Sequence, residues 1–122
     1  MVKDMLFSLQ KNGVKTLTNV DFEYNDNTLK IYIAGEIDHH SALEIKDTID
    51  CQLLHYCPHR AVMNFEKVTF MDSSGIGLVL ARYKFCQNMG TSLFVQGVNN
   101  QTQRILALAG IKTIKEIIIG DL

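Results

Sequence analysis

Val68-Thr69-Phe70-Met71-Asp72-Ser73-Ser74-Gly75-Ile76-Gly77 is the stretch that decides the fold of this chain. Val68 to Met71 reads as a strand. It runs into a tight Asp-Ser-Ser-Gly turn, and an amphipathic helix follows. The turn sets the hydroxyls of Ser73 and Ser74, and the flexible backbones of Gly75 and Gly77, at a helix N-terminus. Unpaired backbone N–H groups and the positive end of the helix dipole suit an anion such as phosphate there. A turn at a helix start is also surface chain that a partner protein can reach. A simple helix cap by Asp72 or Ser73 is the competing use of the same residues.

Working outward, strands alternate with helices. Val20, Phe22 and Tyr24 alternate with polar residues, as do Leu29, Ile31 and Ile33, so each run is a half-buried strand. Asn25-Asp26-Asn27 between them is a turn cluster, which predicts a hairpin. Gly35 to His40 is expected to leave the sheet. Ser41 and Glu44 have capping-box spacing, so a helix is predicted from Ser41, with Ala42, Ile45, Ile49 and Leu53 on the stripe that packs on the sheet. Pro58 punctuates a loop before a strand over Ala61 to Phe65. In the helix after the serine turn, Ile76, Val79, Leu80 and Tyr83 are expected to face the core, and Gly90 to end it. Leu93 to Val98 is a strand. Asn99 or Asn100 caps a helix holding Ile105, Leu106 and Leu108, and Gly110 ends it. Ile114 to Ile119, apolar and β-branched, suits a last strand. This alternation predicts an α/β domain with helices covering a sheet.

Composition narrows the function. The chain has 122 residues, enough for one independent core, and its 47% hydrophobic and 20% charged residues are those of a globular domain. A net charge of -1, with no basic block, gives no electrostatic pull toward nucleic acid. No apolar run approaches the roughly 20 residues that cross a bilayer, and Met1 to Phe7 lacks the long apolar core of a signal peptide. A cytoplasmic location is expected. Cys51, Cys57 and Cys86 are an odd set, which fits a reducing compartment better than a disulfide framework.

Catalytic and metal readings find little support. His55, Cys57 and His59 crowd around Pro58, but alternate-residue spacing in a loop is not an established zinc spacing. The Gly-x-Ser-x-Gly elbow is absent around Ser73 and Ser74. Asp38 and His39 are adjacent, and neighbours in sequence seldom converge on one catalytic triad. Gly75-x-Gly77 has neither the dinucleotide pattern nor a P-loop lysine; its glycines fit the close approach of a partner's backbone. No enzyme activity, cofactor or metal is expected.

Two motifs, in order and at the right spacing, carry a family resemblance. Gly35-Glu36-Ile37-Asp38-His39-His40 and Asp72-Ser73-Ser74-Gly75-Ile76-Gly77, followed by Arg82-Tyr83-Lys84 and Ala109-Gly110-Ile111, resemble the STAS domain family over about Val20 to Ile119. The likeness is greatest to its anti-sigma factor antagonists of bacterial sporulation and stress response. The resemblance implies a single α/β domain, with a mixed sheet and helices mainly on one face. Residues 1–19 would form an N-terminal extension and residues 20–122 the STAS domain. Many relatives continue into a C-terminal helix that packs across the domain. Met5, Leu6, Phe7 and Leu9, or a dimer contact, are two ways to cover the same surface here.

The resemblance also implies a mechanism. Such an antagonist binds an anti-sigma factor with serine kinase activity and thereby frees a sigma factor. The kinase then phosphorylates the first serine of the turn, Ser73, and a metal-dependent serine phosphatase reverses the step. Partner contacts are expected at Asp38, His39 and Ser41, with His40 beside them, and at Asp72, Ser74, Gly75, Ile76 and Gly77. The rival is a STAS subunit of another assembly: a stress-sensing scaffold, a lipid-transport complex or the tail of an anion transporter. The last would need a membrane segment, and a scaffold would usually carry a longer sensory region.

Overall fold

Residues 19–114 are described by the computed structural model. They form β1 (Asn19–Asn25), β2 (Thr28–Ile37), α1 (His39–Tyr56), β3 (Arg60–Met71), α2 (Ser73–Met89), β4 (Ser92–Gln96), α3 (Asn100–Leu108) and β5 (Lys112–Ile114). The strands lie in the order β1-β2-β3-β4-β5. β1 and β2 are antiparallel, and every later pair is parallel. The hairpin turns on Asp26 and Asn27, both with positive φ (52° and 58°), the geometry that asparagine and aspartate tolerate and that matches strand twist.

The alternation read from the sequence sets which side chains are inside. Val20 and Phe22 of β1, and Leu29, Ile31 and Ile33 of β2, are buried. Ala61, Met63, Leu93 and Val95 extend that layer across β3 and β4 through the pairs Leu29↔Ala61, Ile31↔Met63, Ala61↔Leu93 and Met63↔Val95. α1 packs on α2, and α2 on α3, so the helices form one layer on that face. On α1 the predicted stripe holds, with Ile45, Ile49 and Leu53 buried and Ala42 packed against them. Burying each of Ile45, Ile49 and Leu53 contributes about 1.5–3 kcal/mol by leaving water.

Several boundaries differ from expectation. β2 continues to Ile37 rather than leaving the sheet at Gly35, and α1 begins at His39, not Ser41, because Asp38 is the cap. The two predicted strands Ala61–Phe65 and Val68–Met71 are one strand, β3, whose exposed Glu66 and Lys67 interrupt the apolar run. β4 stops at Gln96, two residues short of Val98, as Gly97 turns the chain away with φ +82°. A Cβ on Gly97 would meet the Glu66 backbone nitrogen at 2.6 Å. Asn99 caps α3, which buries Leu106 but leaves Leu108 exposed. β5 begins at Lys112. Beyond Ile114 the predicted last strand lies outside the described residues, as does the reading of Met5 to Leu9 as a cover.

The core face of α2 is rotated from the predicted one. Gly75, Leu78, Val79, Arg82 and Cys86 are buried, Ile76 and Tyr83 are half-buried, and Leu80 is exposed. Arg82 is 4% exposed. Its Nε lies 2.9 Å from Oδ1 of Asp50 on α1, close enough for strong attraction but not aligned as a hydrogen bond, and its Nη1 meets no partner. This pair ties α1 to α2. Burial pushes the nearby Cys86 thiol up to about 11, so it is an inert core group.

Candidate phosphoacceptor and partner-binding site

Parallel strands deliver their following helices to one edge of a sheet. Ile37 and Met71 are paired neighbours at the ends of β2 and β3, and the Asp72 amide donates to the Ile37 carbonyl at 3.2 Å. The next residue on each strand, Asp38 and Asp72, is the N-cap of α1 and α2 respectively. Two helix N-termini therefore stand side by side, and the two sequence motifs meet there.

At the start of α1 the cap is closed. One Asp38 carboxylate oxygen accepts from the amides of His40 and Ser41, both at 2.9 Å. In return Ser41 Oγ accepts from the Asp38 amide at 3.0 Å, and it donates to the Glu36 carbonyl at 3.1 Å. The Ser41 amide, above all, holds the Asp38 carboxyl below its ordinary pKa. His39 and His40 are exposed beside it. Asp38 thus serves as a cap and is also exposed to solvent. Ser41 is half-buried, with its hydroxyl engaged within the turn.

At the start of α2 the cap is half made. Asp72 accepts from the Ser74 amide at 2.8 Å. The position that reciprocates on α1 is here Gly75, which has no side chain to give. It is buried, and a Cβ there would overlap Cγ and Sδ of Met71 and touch Ile37. The close approach that Gly75 permits in this structure is to Met71 at the end of its own β3. Gly77 is different: it is exposed, with nothing within 4 Å of an added Cβ. Ser73 is the first residue of the helix and exposed, and its hydroxyl makes no hydrogen bond among the described residues. Ser74 and Ile76 are half-buried. Of the two serines, Ser73 is the one presented to solvent.

Among the described residues no three His, Cys, Asp or Glu side chains converge as a metal site, and no helix is long and apolar enough to cross a membrane. Sequence reasoning missed Phe70, 55% exposed and three residues before Ser73, because an aromatic in a strand is expected to be buried.

This arrangement of a mixed sheet, a one-sided helical layer and an Asp-Ser-Ser-Gly turn at a helix start is that of a known domain. The STAS domain family matches residues 19–118, and the chain belongs to that family. It is 30% identical over 98 residues to an anti-sigma F factor antagonist of Paenibacillus polymyxa, covering 80% of this chain and 84% of the relative. It is also 30% identical over 101 residues to an anti-sigma-B factor antagonist of Bacillus subtilis, covering 81% and 89%. Among solved structures, the unphosphorylated anti-sigma factor antagonist SpoIIAA superposes with a TM-score of 0.69 at 25% identity, over 81% of this chain and 90% of that one. Phosphorylated SpoIIAA, from Bacillus, gives 0.68 at 24% identity, over 81% and 92%.

Proposed function

We propose that this chain is an anti-sigma factor antagonist: it binds an anti-sigma factor with serine kinase activity, releases a sigma factor, and is switched off when Ser73 is phosphorylated. The observation that carries the reading is the exposed, unbonded Ser73 hydroxyl at the first position of α2, inside the Asp-Ser-Ser-Gly turn. The names of the relatives support the partner, and the existence of SpoIIAA in both phosphorylated and unphosphorylated forms supports the switch. A serine phosphatase acting on Ser73 completes the cycle.

The residues suit a local switch. Phosphate adds about -1.5 to -2 charges at neutral pH. It arrives beside Asp72 and across from Asp38, so the edge becomes strongly acidic. The helix dipole stabilises an exposed phosphate by about 0.3–1 kcal/mol, and the repulsion from Asp72, screened by water and salt, is of similar order. Neither approaches a domain stability of about 5–15 kcal/mol. A partner that fits the neutral hydroxyl meets new charge and bulk, and binding is lost at the interface. The test is incubation with the purified cognate anti-sigma factor kinase and ATP, followed by mass spectrometry and calorimetry. Phosphate on Ser73, with loss of kinase binding by the modified chain, is the expected result; phosphate on Ser74 alone contradicts the assignment.

A further inference from the structure

Ser73 is too small a target to hold a protein partner. A specific interface covers about 800 Å² on each side and depends on a few well-packed anchors, often aromatic. The polar loop at Asp38 to Ser41 supplies charge and hydrogen bonds, but no such anchor. The other side of Ser73 does. β3 outruns its neighbour: its pairing with β4 ends at Asn64↔Gln96, whereas its pairing with β2 continues to Met71. Gly97 turns the chain away against Glu66, so no described strand pairs with Lys67 to Phe70 on that side. A hollow of about 250 Å³ lies at the vacated place, lined by both apolar and polar groups, among them Phe65, Val68, Thr69, Phe70, Asn99 and Thr102. Phe70 stands at its rim, 55% exposed.

From this juxtaposition of a strand edge left unpaired among the described residues, an adjoining hollow and an exposed aromatic three residues before Ser73, we propose that an extended segment of the anti-sigma partner adds to β3 along Lys67–Phe70 and packs an aliphatic side chain against Phe70. The inference rests on the reading of Ser73 as the partner face and extends it. The N–H and C=O groups of such a strand edge select an extended backbone, and the exposed ring of Phe70 selects an apolar side chain. The occupant is continuous with the switch: Met71, which follows Phe70, packs against Gly75 in the first turn of α2. A partner strand here would run up to Ser73 itself, which explains how charge on one hydroxyl could dislodge a larger contact.

The experiment titrates the full chain with the purified cognate anti-sigma factor, by calorimetry and by amide-proton NMR. Phe70→Ala is expected to weaken binding about tenfold or more while leaving the melting temperature unchanged, because the side chain is mainly in solvent. Leu108→Ala, on an equally apolar but 91% exposed residue of α3, is the control and should leave affinity unchanged. Amides of Lys67 to Phe70 should become protected from exchange in the complex. Unchanged affinity of Phe70→Ala, with Ser73→Glu still abolishing binding, overturns the strand-edge contact but leaves the switch standing. Absence of binding by the wild-type chain overturns both. Dimerisation of the chain alone that Phe70→Ala abolishes assigns the edge to a second copy and overturns the proposal.

Discussion

The starts of α1 and α2 are the same device built to different degrees of completion. Each follows a parallel strand, each is capped by an aspartate, and each carries a serine in its first turn. On α1 the serine is third in the helix and closes the capping box, so its hydroxyl is consumed by the fold. On α2 the third place is Gly75, and the serine that matters stands first, where it contributes nothing to the cap. Moving the hydroxyl two places along the chain leaves it outside the cap and open to solvent. The vacated place is then held by β3, through Met71.

The largest effect expected from disturbing this contrast is at that place. Gly75→Ala gains up to about 1 kcal/mol of helix propensity but drives a methyl group into Met71, an overpacking cost of about 1–3 kcal/mol. Overpacking wins, and the melting temperature should fall by roughly 5–10 °C. Adding Met71→Ala makes room and should recover part of the loss; thermal melts of the two variants settle the point.

The two caps differ less. Asp72→Ala removes the bond to the Ser74 amide and should cost about 1 kcal/mol in chemical denaturation. Ser73→Ala should stay within about 0.5 kcal/mol of wild type and yet accept no phosphate from the kinase. A large loss from Ser73→Ala would show that its hydroxyl serves the fold after all.

The smallest effect is a matter of sign along α1. Asp38 is held below its ordinary value of 3.8, so its stabilisation is present above that value and lost as pH falls through the depressed one. Asp50 is raised, because burial outweighs the attraction of Arg82 and Lys46. Its contribution runs the other way: present below its unfolded value, and lost as pH rises through the raised one. Carboxyl-carbon NMR titrations should therefore place the Asp38 midpoint below 3.8 and that of Asp50 above it.

The sequence told much of this, and its failures have physical causes. Alternation in β1 and β2 and the stripe of α1 were readable because one face meets the core and the other meets water. The face of α2 was misread because its buried stripe contains Gly75 and Arg82, neither of which signals burial, while Leu80 advertises a burial it does not have. The start of α1 was placed late because Asp38 and Ser41 are both good caps, and only the observed bonds show which one leads. β3 was cut in two by Glu66 and Lys67, which are polar because β4 has already left the sheet beside them. The serine turn was legible from type and order alone. That Ser41 and Gly75 face inward was not, since that depends on Glu36 and Met71 across the strand ends.

The run of parallel strands gives the molecule a second end with opposite properties. The hairpin at Asp26–Asn27, the Pro58 loop and the Gly90–Thr91 turn all gather there, tied by bonds from His59 to Asn27 and from Ser92 to His59. With ten residues in β2, that end stands about 30 Å from the edge that carries Ser73. A fluorophore or surface tether placed at that end would leave the edge that carries Ser73 and Asp38 unobstructed.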